Sequence, residues 1–281
     1  MMRSMYAAVA GLRTHQQRMD VIGDNIANVN TTGFKRARAT FQDLFYQTLQ
    51  GGSAGNYDVT GGTNPKQIGL GVGLNTIDII HTQGASTPTG KGTDLMIQGD
   101  GFFVLTNNLT DLDDATGAHL YYTRSGAFTF DSEGYLVNPA NGMYVLDVDG
   151  AEIQVPTDAS NYSINAEGEV VYIGGTPAMP ATPQKIAIAK FANPSGLLKA
   201  GQNLYIYDLA AGEEAEGADL SGGEPGQFGR GKIIADALEM SNVELAQEFT
   251  EMIITQRGFQ ANARTISVSD EMLQELANLK R

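Results

Sequence analysis

The chain has 281 residues, long enough for one large domain or two ordinary ones, and its 42% apolar content supports a buried core rather than global disorder. It carries no cysteine and three histidines (His15, His81 and His119), which excludes disulfides and thiolate metal sites and leaves little for metal or acid–base chemistry. A net charge of −14 argues against a nucleic-acid partner, which needs clustered Lys and Arg, and no run of ~18 apolar residues is present to insert into a membrane.

The first residues, Met1-Met2-Arg3-Ser4-Met5-Tyr6, lack the apolar stretch and small-residue cleavage site of a cleaved secretory signal, so none is expected. Met5, Leu12, Met19 and Ile26 then recur every seven residues, with Val9, Gln16 and Gly23 between them. That period predicts a helix over 1–30 with a heptad seam. Residues 31–70 read as an outbound linker, with 50–64 its most loop-like part.

A β-rich domain is expected over 71–210. All nine prolines lie between Pro65 and Pro225, and proline costs ~3 kcal/mol inside a helix. Runs such as Asn75–His81, Asp94–Gln98, Phe102–Leu105, Tyr121–Arg124, Ala127–Phe130 and Lys185–Phe191 are β-branched or aromatic and bounded by Gly, Asn and Asp, as strands are. No helical pattern separates them, so the sheet should be mainly antiparallel. Residues 211–239 begin rich in Gly and acid and read as the return linker.

Over 240–281 the heptad returns in Leu245, Met252, Phe259, Ile266 and Leu273, with Phe249, Gln256, Ala263, Asp270 and Ala277 at the intervening positions. Ser241 or Asn242 is placed to cap this helix. The fold class is therefore α+β: terminal heptad helices pairing as a coiled coil around a mainly antiparallel β domain. Gln16, Gly23, Gln256 and Asp270 weaken the seam, which predicts helices ordered by contact with other copies of the chain. An ordinary helical hairpin inside one globule is the alternative. Charge divides along the same lines: +3 over 1–48, −3 over 231–281 and −14 over 49–230. Opposite charge on the two ends favours pairing and its register.

Motifs for small-molecule chemistry are incomplete. Gly69-Leu70-Gly71-Val72-Gly73 and Gly99-Asp100-Gly101 do not complete a nucleotide-binding fingerprint and read as turns. Asp111-Leu112-Asp113-Asp114-Ala115-Thr116-Gly117 resembles the start of a calcium loop, but Tyr122 stands where the bidentate Glu is needed. Ser125-Gly126 forms no nucleophile elbow. No catalytic residue, metal site or cofactor is expected.

Residues 19–38 closely resemble the N-terminal signature of flagellar rod and hook proteins, with Asn25-Ile26-Ala27-Asn28 followed by Thr32-Gly33-Phe34-Lys35 at its core. Gly62–Val72 is similar to the hook-type linker, Asp94–Phe103 and Tyr122–Phe128 to the shared β domain, and Gln256–Arg264 with Leu276–Arg281 to the hook C-terminus. The resemblance implies a structural subunit of the flagellar hook that polymerises into a flexible helical tube, with the distal rod protein of the same family as the alternative. It implies contacts with further copies of the chain, with the distal rod, hook cap and hook–filament junction proteins, and with the flagellar type III export apparatus. It also implies an extracellular location reached without cleavage. Beside that resemblance, the Asn residues suit a helix end, Gly33 permits the chain to turn, and Phe34 is expected to anchor the turn in an apolar pocket. The self-assembly surface is expected at Met5, Val9, Leu12, Met19, Ile26, Leu245, Phe249, Met252, Phe259, Ile266 and Leu273.

Overall fold

The computed structural model describes residues 2–54, 61–107, 120–157, 159, 161–174, 184–212 and 222–279. The acidic loop 111–117, His119 and parts of the expected loops 50–64 and 211–229 lie outside the described residues. The chain divides into two units. One comprises Met1–Ala27, Ala37–Ile79 and Glu244–Arg281, and the other comprises Asn28–Arg36 and Ile80–Val243.

The first unit contains helix α1 (Met2–Ala27), strands β1 (Ala37–Asp43), β2 (Tyr46–Gln50), β3 (Lys66–Gly69) and β4 (Val72–Ile79), and helix α2 (Leu245–Leu279). β1 pairs antiparallel with β4, from Ala37 opposite Ile79 to Asp43 opposite Val72, and β2 pairs antiparallel with β3. Residues expected to form a linker thus carry three strands, β1, β2 and β3. Period-2 alternation does not reveal β2 and β3, because every one of their residues is exposed. The two terminal helices coincide with the heptad segments. Neither expected cap starts α2: Ser241 Oγ accepts from Val243 N at 3.3 Å, and the Asn242 side chain is engaged by residues 36, 80 and 82. The first helical bond is Glu248 N to Glu244 O.

The second unit contains β5 (Ser86–Pro88), β6 (Leu95–Gln98), β7 (Phe102–Thr106), β8 (Leu120–Thr123), β9 (Thr129–Phe130), β10 (Leu136–Val137), β11 (Tyr144–Val145), β12 (Asn161–Ile164), β13 (Val170–Ile173), β14 (Ile188–Ala189), β15 (Leu198–Gly201), β16 (Leu204–Ile206), β17 (Lys232–Ala235) and β18 (Ala237–Glu239). Its main sheet has the order β15-β16-β8-β7-β11-β10-β9, and β14 also pairs with β7. Every strand pair is antiparallel. β7 is buried along its whole length, which is why its sequence is an unbroken apolar run rather than an alternation. Leu95, Ile97, Phe103, Leu105, Phe128 and Ile188 form the centre of the core around it. Beside this sheet, β12 pairs with β13, β17 with β6, and β18 with β5.

Candidate assembly surface

Within the first unit α1 and α2 pack antiparallel: Gly11 lies against Asn262, His15 against Gly258, and Asn25 against Glu248. The side chains buried along α1 are Ala8, Gly11, Thr14, Ile22 and Asn25, and along α2 they are Glu248, Thr255 and Ser269. Small residues let the two backbones approach, and polar ones are satisfied inside the seam. Asn25 Nδ2 donates to Glu248 Oε2 (3.2 Å) and to Ala37 O (2.8 Å), while its Oδ1 accepts from Ala37 N (2.9 Å). Arg18 and Glu251 close the seam with a 3.3 Å ion pair.

This seam is offset from the heptads read in the sequence. Met5, Leu12, Met19, Ile26, Met252, Ile266 and Leu273 are half-buried, whereas Val9, Leu245, Phe249 and Phe259 are exposed. On α2 the buried series 248, 255 and 269, with half-buried Asn262, keeps the seven-residue period one position ahead of Phe249. Its residues are small or polar, so an apolar search passes over it. The apolar side chains are left outside: Ile253 and Ile254 are 58% and 56% exposed and Phe249 is 49% exposed. Val268, Met272 and Leu276 continue exposed along α2. Scattered apolar side chains are normal on a protein surface, but this many exposed along one helix mark an interaction surface.

The signature residues have a different place. Only Asn25 belongs to the helix pair; Asn28, Thr32, Gly33, Phe34 and Lys35 are built into the β unit. Asn28 O accepts from Thr31 N and its Oδ1 from Thr31 Oγ1. Thr32 Oγ1 lies 3.1 Å from Ser125 Oγ, and Thr32 O accepts from Asn203 Nδ2. Gly33 has φ +70°, and a Cβ there would lie 2.6 Å from Ser125 N, so both conformation and space require glycine. Phe34 is buried, with Lys199 Nζ 4.8 Å from its ring centroid, a cation–π contact.

Lys35 is fully buried. Its Nζ donates to Glu239 Oε1 at 2.6 Å and to Thr82 O at 2.8 Å. Glu239 Oε1 also accepts from Gly84 N, and its Oε2 accepts from Arg124 NH1 at 3.3 Å. Arg124 in turn donates to Ile97 O and Gly99 O. Burial lowers the pKa of Lys35 and of Arg124, and the Glu239 carboxylate opposes both shifts. Near these cations His81 lies edge-on to Phe102 and tilted against Tyr205. Burial, followed by Lys35, Arg124 and Lys199, pushes its pKa down to about 4, so it is neutral at pH 7. Burial likewise raises Tyr205 to about 12. This cluster is a structural joint: Lys35 Nζ, both Glu239 oxygens and Arg124 NH1 and NH2 are spent on one another and on backbone, while the buried Arg124 Nε and the two His81 ring nitrogens find no partner among the described residues.

Among the described residues no group of three or more His, Cys, Asp or Glu could hold a metal. No described helix is long and apolar enough to cross a membrane.

Three family descriptions match the chain: "Flagella basal body rod protein" over residues 5–35, "Flagellar hook protein FlgE/F/G D1 domain" over 96–172, and "Flagellar basal body rod FlgEFG protein C-terminal" over 235–279. The chain is 46% identical over 281 residues to the flagellar basal-body rod protein FlgG of Bacillus subtilis, with all of both chains covered. It is 31% identical to the flagellar hook protein FlgE of Borreliella burgdorferi over 457 residues, again covering both chains. The FlgG protein of that organism is 36% identical over 283 residues. The chain therefore belongs to the flagellar rod and hook protein family and is a structural, non-enzymatic component of the bacterial flagellum.

Proposed function

We propose that the chain is a subunit of the flagellar hook, polymerising with copies of itself into a flexible helical tube that couples rod and motor to filament. The observation that carries polymerisation is the exposed apolar row on α2 from Phe249 through Ile253 and Ile254 to Leu276. In this reading Val9, Leu245, Phe249 and Phe259 meet neighbouring copies directly. Half-buried Met5, Leu12, Met19, Ile26, Met252, Ile266 and Leu273 are completed by them. A contact of this head-to-tail kind that does not close on itself yields a filament.

Two features support hook over rod: the Gly62–Val72 linker and the C-terminal segment from Gln256. The hook relative's alignment extends over 457 residues against the 281 of this chain, so the short middle departs from the longer hook protein and makes this a compact hook subunit. In this role the chain is exported through the flagellar type III apparatus without cleavage and lies outside the cell. There it adjoins the distal rod, hook cap and hook–filament junction proteins.

A second reading, the distal rod, is favoured by the 46% identity to a FlgG protein over 281 residues. Immunogold labelling of purified hook–basal bodies decides between them. The hook reading expects label along the curved external segment, and label confined to the straight rod overturns it. Electron microscopy of the purified chain at low salt tests the wider proposal, since a structural subunit should form tubes.

A further inference from the structure

Two glycines of the helix pair sit opposite side chains of the other helix. A Cβ on Gly11 of α1 would lie 2.7 Å from Asn262 Nδ2 and 3.1 Å from its Cγ. A Cβ on Gly258 of α2 would lie 2.6 Å from His15 Cε1 and 2.7 Å from His15 Nε2. The arrangement is reciprocal. Each helix carries one glycine and one bulky polar residue four positions apart, hence on one face, and each bulky residue fills the gap left by the other helix's glycine.

At one end of the seam the alignment is held by Ile22, the Asn25–Glu248 hydrogen bond and the Arg18–Glu251 ion pair; the small residues elsewhere add little. Ala8, Thr14, Thr255 and Ser269 are small, and each offers little shape to hold one helix against the other. A slide of one heptad would set His15 against Glu251 or Thr265, neither of which leaves a gap. His15 is further held edge-on to Phe41 of β1, with ring centroids 5.8 Å apart. Its buried Nδ1 finds no hydrogen-bond partner among the described residues.

We propose that His15 with Gly258 and Asn262 with Gly11 form a register lock that determines which residues of α2 stay exposed for assembly. The lock rests on the reading of that exposed row as the polymer contact. The four are positioning residues: they act through Phe249, Ile253 and Ile254.

The test is a pair of double-mutant cycles in the full chain, read by far-UV circular dichroism melting and by tube formation. Alanine is a better helix former than glycine, so Gly258→Ala at an unconstrained site raises the melting temperature of the helical signal. The lock requires that it fall and that tubes be lost. His15→Ala combined with Gly258→Ala must then melt above Gly258→Ala alone and recover tubes. Gly11→Ala with Asn262→Ala must behave the same way. Additive effects in both cycles, or a Gly258→Ala chain that melts higher and assembles normally, overturn the lock. If the unaltered chain forms no tubes, the assembly reading fails, and the melting cycles still decide the lock.

Discussion

Lys35 and Glu239, 204 positions apart, meet in a 2.6 Å ion pair with neither side chain exposed to solvent. One comes from the N-terminal signature and the other from the last strand of the β unit. The carboxylate serves two cations, because Arg124 reaches its other oxygen. Removing one partner of a buried pair strands the other, at about 3–5 kcal/mol. Lys35→Met should cost the β unit in that range, as Glu239 keeps Arg124 and Gly84. Glu239→Gln should cost more, since it leaves two buried cations without a carboxylate. Urea unfolding followed by tyrosine fluorescence would measure both; equal or negligible losses would show that the cluster is not the joint described above.

That pairing is also the clearest case of what the sequence hides. Nothing local to Lys35 or Glu239 announces the other, because the pair forms only when the chain folds. The Gly33 turn and the Phe34 anchor were legible because each depends on its own residue type. Both terminal helices and the antiparallel middle were legible for a similar reason: proline placement and apolar period report local backbone. The exposed strands β2 and β3 were not, because no buried face imposes alternation. The buried series of α2 lies one position from Phe249 and escapes an apolar search because Thr255, Asn262 and Ser269 are polar. A search for apolar heptads finds Leu245, Phe249 and Phe259, which are exposed, together with Met252, Ile266 and Leu273, which are half-buried.

His81 should make the β unit acid-sensitive. Its pKa is about 4 in the fold against 6.5 unfolded, so the unfolded chain binds a proton first as pH falls. The stabilisation is therefore fully present above pH 6.5 and is lost on descending towards pH 4. It amounts to about 2 kcal/mol lost by pH 5 and about 3 kcal/mol by pH 4. His81→Phe keeps the aromatic contacts with Phe102 and Tyr205 and removes the titration. The difference between the two proteins in unfolding free energy should change by that amount between pH 7 and 5. Parallel pH profiles would contradict it.

Two Gly→Ala substitutions should act with opposite sign. Gly33 has φ +70° and no room beside the Ser125 and Arg124 backbone, so Gly33→Ala should cost about 1–3 kcal/mol. Gly23 on α1 is exposed, and a Cβ there would meet nothing within 4 Å, so Gly23→Ala should stabilise the helix by about 0.4–1 kcal/mol. Chemical denaturation of each variant, with circular dichroism for the helix and tyrosine fluorescence for the β unit, would check the signs.

Charge on the outward row of α2 should abolish tubes while sparing the fold. Phe249, Ile254 and Phe259 are 49%, 56% and 39% exposed in the single chain, so an Asp at any of them meets water there and costs little. In a tube the apolar contact it replaces is worth about 1.5–3 kcal/mol. A tenfold change corresponds to about 1.4 kcal/mol, so each loss should raise the critical concentration for assembly roughly 10- to 100-fold. An Asp placed without a cation opposite it adds to that penalty. Gln260→Asp, also exposed on α2, adds the same charge without removing an apolar side chain and serves as the control. Sedimentation of assembled protein, with microscopy of the pellet, gives the critical concentration. Phe249→Asp, Ile254→Asp and Phe259→Asp should shift it strongly and Gln260→Asp weakly, with the unfolding curve of the β unit unchanged in all four. If the three apolar variants assemble at the concentration of the unaltered chain, the polymer contact lies on some other surface.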